Sequence, residues 1–143
     1  MTPTLLGRIQ SRIFLIVVVG GIWTAIITPL LPGVSGAPYA VTYAILALVG
    51  VLGIGWEFIY HGLQQFRWDK DWPTLFGLLS LIPEGLLAWV IVDAGLVPGI
   101  PDGVPLAAFL VHYATTMLIA FFFANGPMRV PFVRWRYRAG RLV

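Results

Sequence analysis

Apolar residues fall into four long runs along this chain, and polar residues collect in the gaps between them. The runs cover residues 13–31, 41–61, 73–92 and 105–123. Each holds roughly 20 residues, which at a rise of about 1.5 Å per residue matches a hydrocarbon core about 30 Å thick. A strand would cross with about half that length, and no run alternates with period two. Backbone groups in lipid must be satisfied within the segment, so the runs read as helices. The pattern therefore predicts an all-α fold. It is an integral membrane four-helix bundle, antiparallel and up-down-up-down, forming one transmembrane domain over residues 1–143 with a basic tail at 126–143. No internal repeat, low-complexity tract or second domain interrupts it.

The gaps carry turn chemistry. Pro32, Gly33, Ser35, Gly36 and Pro38 separate the first two runs, and Pro98, Gly99, Pro101, Asp102 and Gly103 the last two. Asp71 is placed to cap the third helix, with Pro73 in its first turn. Asn125, Gly126 and Pro127 read as the stop of the fourth. The first run is longer than a usual signal-peptide core, and Val34-Ser35-Gly36-Ala37 is a poor cleavage site, so it reads as a retained helix.

Composition agrees with lipid as the solvent. Hydrophobic residues make up 59% and charged residues 10%, against about a quarter charged in soluble domains. The absence of cysteine excludes disulfides, thiolate metal sites and cysteine nucleophiles. Arg in place of Lys, with abundant Gly, Ala, Val and Pro, fits a GC-rich bacterial genome. The basic residues also set an orientation. Arg8 and Arg12 precede the first run, and Arg67 and Lys70 lie in the second gap. Arg129, Arg134, Arg136, Arg138 and Arg141 follow the fourth run. A four-span model puts them all on one side, which the positive-inside bias makes the cytoplasm. The expected location is thus the cell inner membrane, with both termini cytoplasmic.

Charged and imidazole side chains within a span are expensive and should face the bundle. Helical spacing gives each run one small-and-polar stripe. The stripes are Gly20, Thr24 and Thr28; Gly50, Gly53, Glu57, His61 and Gln64; Gly77, Ser80, Glu84 and Ala88; and Ala108, His112, Thr115 and Thr116. Thr24, Glu84 and His112 each lie eleven positions from the cytoplasmic end of their runs, about 16 Å deep. Thr24, Ser80, Glu84, His112, Thr115 and Thr116 are therefore expected to form an intramembrane polar cluster. Within it Glu84 and His112 are expected to touch or share a water. Pro83 removes a backbone donor and should kink the third helix. Glu57 and His61, four apart, form an expected hydrogen-bonded pair near the cytoplasmic end.

The segment Phe66 to Trp72 is balanced in charge and rich in rings. Arg67, Trp68, Lys70 and Trp72 are read there as lipid or partner contacts. The tail residues Arg134, Trp135, Arg136, Arg138 and Arg141 are read likewise, at an anionic headgroup surface. Asp93 and Asp102 flank the opposite loop.

No catalytic residue, resident metal or cofactor is expected, because no nucleophile–base pair or cofactor fingerprint is visible. The leading reading is a non-catalytic membrane protein, a structural or accessory subunit that packs with itself or with other membrane subunits and binds no nucleic acid. A second reading is a small proton- or cation-coupled transporter or channel using Glu84 and His112. A third is haem or metal binding through His61 and His112, although their depths differ by about 10 Å.

Overall fold

The structure is a computed structural model that describes residues 3–34, 36–100, 103–137 and 139–142, without the side chain of Arg136. Ser35, Pro101, Asp102 and Arg138 lie outside the described residues, as does any contact made through the Arg136 side chain. Among the described residues the fold is all helical, with no strand. Four helices are long and apolar enough to cross a membrane: α1 Leu5–Leu30, α2 Pro38–Gln65, α3 Thr74–Asp93 and α4, whose regular part is Leu106–Asn125. A short α5, Val133–Tyr137, follows. Large apolar side chains such as Val17, Ile22, Val51 and Leu86 stand on the outer surface.

Helix α1 begins at Leu5 rather than at Ile13, where the apolar run starts. Thr4 caps it, its Oγ1 accepting the Gly7 N–H at 3.2 Å. Leu, Ile, Gln and Arg are all good or fair helix formers, so the helix extends through residues that a hydropathy window excludes. Arg8 and Arg12, expected ahead of the first helix, consequently lie within it.

The inward residues Arg8, Arg12, Ile16, Gly20, Thr24 and Thr28 recur every four positions. An α-helix turns about 100° per residue, so such a stripe drifts by about 40° per step. A π-helical stretch at Leu15–Gly20 widens the turn midway, which counters this drift and keeps both halves of the stripe facing the bundle.

Helix α3 breaks where Pro83 demands it. Regular helix runs over Thr74–Leu79 and again over Leu81–Asp93, with Ser80 between. Hydroxyls serve carbonyls at this joint: Tyr60 donates to the Ser80 carbonyl at 3.3 Å and Tyr113 to the Leu81 carbonyl at 2.7 Å.

Side-chain pairs fix the packing. Arg8 meets Gln64 while Thr28 meets Thr42, so α1 and α2 run antiparallel. Ser11 meets Trp135, beyond the end of α4, while Thr24 meets His112, so α1 and α4 do as well. A Cβ on Gly77 would lie 3.6 Å from Phe121, and one on Gly85 would lie 2.6 Å from Tyr113. These contacts run α3 against α4. Ile45, Val49, Ala88, Val92, Phe109 and Met117 form the apolar core, with Phe109 and Tyr113 stacked at 5.7 Å.

The chain then returns to its beginning. The Thr4 N–H donates to the Ala139 carbonyl at 3.0 Å, and Ser11 Oγ donates to the Gly140 carbonyl at 2.9 Å. Gly7 is the point of closest approach, since any Cβ there would run into the Ala139 carbonyl. Trp135 is buried, with its Nε1 donating to Ser11 Oγ at 2.8 Å. It was expected among the lipid or partner contacts; instead its ring packs against α1. Arg134 and Arg141 are exposed.

Candidate functional site

The densest polar arrangement lies at the end of the bundle that carries both chain ends. Arg12 reaches from α1 to two other helices. Its Nη1 and Nη2 grip Glu84 of α3 in a bidentate pair, at 2.8 and 3.0 Å from Oε2 and Oε1. Its Nε donates to Glu57 Oε1 of α2 at 2.9 Å. Arg8, one turn earlier, donates through Nη1 to Glu57 Oε2 at 3.3 Å, and through Nε and Nη2 to Gln64 Oε1 at 3.2 and 2.7 Å. Gln64 passes the chain on, its Nε2 donating to the Lys70 carbonyl at 2.6 Å. Gly53 makes the room, because a Cβ there would stand 3.2 Å from Arg12 Cδ. Glu84 is only 3% exposed and Glu57 7%. Two cations and two anions thus neutralise one another, each through geometry that satisfies several donors or lone pairs.

This arrangement corrects two expected pairs. Glu84 bonds Arg12, not His112. His112 Nε2 lies 2.9 Å from Thr24 Oγ1, and its Nδ1 has no partner. The two residues sit on adjacent helices but use different faces, Glu84 turned to α1 and α2 and His112 to the middle of α1. Glu57 likewise bonds the arginines instead of His61. His61 is half-buried beside the α2 stripe, with Nε2 at 3.5 Å from Gln65 Nε2. The expected α2 face therefore keeps Gly53, Glu57 and Gln64 but loses His61 to Tyr60.

The rest of the expected cluster forms a second, uncharged layer. Thr24, His112, Thr28 and Thr42 are all buried. Thr28 Oγ1 lies 2.8 Å from Thr42 Oγ1 and also donates to the Thr24 carbonyl at 2.6 Å. Thr115 accepts from Trp23 Nε1 at 2.9 Å on the half-buried rim. Thr116 is buried with its Oγ1 unpartnered. Ser80 belongs to neither layer; it donates to the Gly77 carbonyl at the α3 joint.

Of the residues in the loop before α3, Trp68 is fully exposed, and Arg67 pairs with Asp69 at 3.1 Å on the surface. Lys70 is exposed, with a left-handed φ of 50°. Trp72 is drawn inward, its ring under the Arg8 guanidinium at 4.5 Å and beside Tyr60 at 5.4 Å. It therefore braces the charged layer instead of facing lipid or a partner alone. Asp93 is exposed at the far end of α3.

A cavity of about 560 Å³ opens beside the charged layer, between α1, the first half of α3 and the last half of α4. Arg8, Arg12 and Glu57 line one side, Trp72 and Trp135 line the end next to the two chain ends, taken as its mouth, and Leu81 and Met117 line the deep end, its floor. Among the described residues no group of three or more His, Asp or Glu side chains is placed to hold a metal ion. Arg8, Arg12 and Gln64 are the site residues that sequence reasoning missed as partners. The signal was available: two buried carboxylates on α2 and α3 require cations, and Arg8 and Arg12 are four apart on the nearest helix. Comparison with family models, curated proteins and solved structures finds no match.

Proposed function

We propose that this chain is a non-catalytic, multi-pass protein of the cell inner membrane, with both termini cytoplasmic, serving as a structural or accessory subunit. It packs with other membrane subunits or with copies of itself, and its basic end lies at anionic headgroups. The observation that carries this reading is the closure of the charged layer on itself. Arg12 pairs with Glu57 and Glu84, and Arg8 pairs with Glu57 and bonds Gln64. A transport relay needs ionisable groups that hand a proton or cation onward through the bundle. Here Glu84 and His112 are committed to separate partners. Beyond the charged layer the interior is the apolar core of Ile45, Val49, Val92 and Phe109 together with the neutral layer of Thr24, Thr28, Thr42 and His112. Neutral, interlocked charges orient helices with respect to one another, a role in specificity that buried ion pairs serve in some proteins.

The test has two arms. Purified protein in liposomes should pass no more protons or monovalent cations than empty liposomes. The protein extracted in mild detergent should migrate well above its monomer mass on a native gel. A proton or cation flux that Glu84→Gln abolishes would replace this reading with the transport one.

A further inference from the structure

The cavity beside the charged layer has a depth comparable to one leaflet. Along the regular part of α4 it is lined from Asn125 to Met117, eight residues or about 12 Å, and Arg129 lies one 3-10 turn further out. One leaflet of a hydrocarbon core is about 15 Å thick. Its volume of about 560 Å³ falls within the range of small-molecule sites, about 300–1,000 Å³. Its character also changes with depth. The lower part is hollowed by small residues, Gly77, Ala120 and Ala124, over a floor of Leu81 and Met117. The mouth is polar and ringed.

Charge selects the occupant. Glu57 and Glu84 are already consumed by the arginines. Arg129 at the mouth donates to a neutral partner, Asn125 Oδ1, at 3.3 Å, with its guanidinium 5.9 Å from the Trp135 ring. Arg8 uses three of its five N–H donors on the protein side chains named above. Asp71, the carboxylate on the rim, is itself engaged. Arg134 and Arg141 add positive charge at the same end. The remaining donors and charge favour an anion at the mouth, and the walls below it favour an alkyl chain.

We propose that this cavity holds one anionic, phosphate-bearing lipid. Its headgroup sits by Arg8 and Arg129 between Trp72 and Trp135, and one acyl chain descends past Ala124 and Ala120 to Met117. The proposal rests on reading the four helices as membrane-spanning. It differs from ordinary headgroup contact at a basic surface because it gives a single, saturable site inside the bundle.

The test is native mass spectrometry of the intact chain released from nanodiscs of equal phosphatidylglycerol and phosphatidylcholine. Incorporation into the discs checks the membrane reading by itself. The wild type should retain a single phosphatidylglycerol in preference to phosphatidylcholine. Arg129→Gln, an exposed position that leaves the fold intact, should cut that preference about fivefold, the effect of one basic residue at an anionic surface. Ala124→Phe should obstruct the acyl-chain path past Ala120 and lose the bound lipid of either kind. Excess inorganic phosphate should leave the lipid in place. Displacement by phosphate would mean a free-anion site instead. Equal retention of both lipids by the wild type would overturn the proposal, and so would full retention by Ala124→Phe in a protein that still enters the discs.

Discussion

Arg12 and Thr24 lie about three turns apart on one helix and meet opposite kinds of partner. Arg12 is held by two carboxylates from two other helices, and Thr24 by one imidazole. The first layer is ionic, sits beside a cavity and lies under the returning tail. The second is neutral and enclosed, with Thr24 at 0% exposure. The cost of a buried charge explains the division. Ions are tolerable where access to polar surroundings is near and every partner is supplied, whereas deeper positions suit hydroxyls that borrow backbone carbonyls. The charged layer should therefore be strong but brittle, and the neutral layer weaker and more forgiving.

Arg12→Met tests the brittle side. It strands Glu84 in a buried site, while Glu57 keeps Arg8, and should cost about 3–5 kcal/mol, read as a lowered midpoint in detergent-mediated unfolding. Adding Glu84→Gln should recover most of that loss, because it removes the stranded charge and leaves Glu57 paired with Arg8. A single-variant loss under about 1 kcal/mol would place the layer in the exposed-pair class and erase the contrast. Gly7→Leu asks whether the tail protects the charged layer. A side chain there collides with the Ala139 carbonyl, so the tail must lift, at a cost of about 1–3 kcal/mol. Trp135 emission should shift to the red, and proteolysis after Arg134 should accelerate.

Thr24→Val probes the neutral layer. Losing the bond to His112 should cost about 0.6 kcal/mol and at most about 1.7, with no rescue needed to keep the protein folded. Asp69→Asn gives the lower bound of the comparison. Its carboxylate is exposed and its ion pair with Arg67 lies at the surface, so the unfolding midpoint should not move measurably. The Arg67 hydrogen bond holds the Asp69 carboxyl below the usual carboxylate range. Any contribution from it is therefore complete above the unfolded value, about pH 4, and fades only as the medium is acidified below that.

The helical architecture was legible in the sequence because hydropathy is a property of each residue summed over a window. Helices α2, α3 and α4 start and stop within a few residues of the apolar runs. The start of α1 was not legible, since a window that averages hydropathy rejects Arg8 and Arg12 whatever their conformation. The same blind spot hid the charged layer. Glu57 and Glu84 were visible as expensive residues, but inside the apolar runs the sequence offers only His61 and His112 as partners. Spacing on one helix fixes a face, and Thr24, His112 and Thr116 are buried. Which face meets which was beyond spacing, since the π-helical stretch in α1 and the Pro83 joint in α3 rotate the stripes relative to an ideal helix. The burial of Trp135 depends on a close approach to Gly7, and a lone glycine in a helix does not announce what it accommodates.

The ion pairs also impose an order on biogenesis. The carboxylates that neutralise Arg12 follow it by 45 and 72 positions. On the membrane reading, α1 leaves the ribosome carrying two uncompensated guanidinium groups. Such groups on an isolated helix favour the water-facing boundary, where long side chains can reach polar surroundings. The first helix should therefore ride shallow while synthesis continues. It should settle to its final depth only as α2 and then α3 arrive with their counterions. Gly140, which docks onto Ser11, is 129 positions away, so the nascent bundle stays open at its basic end until that segment has emerged.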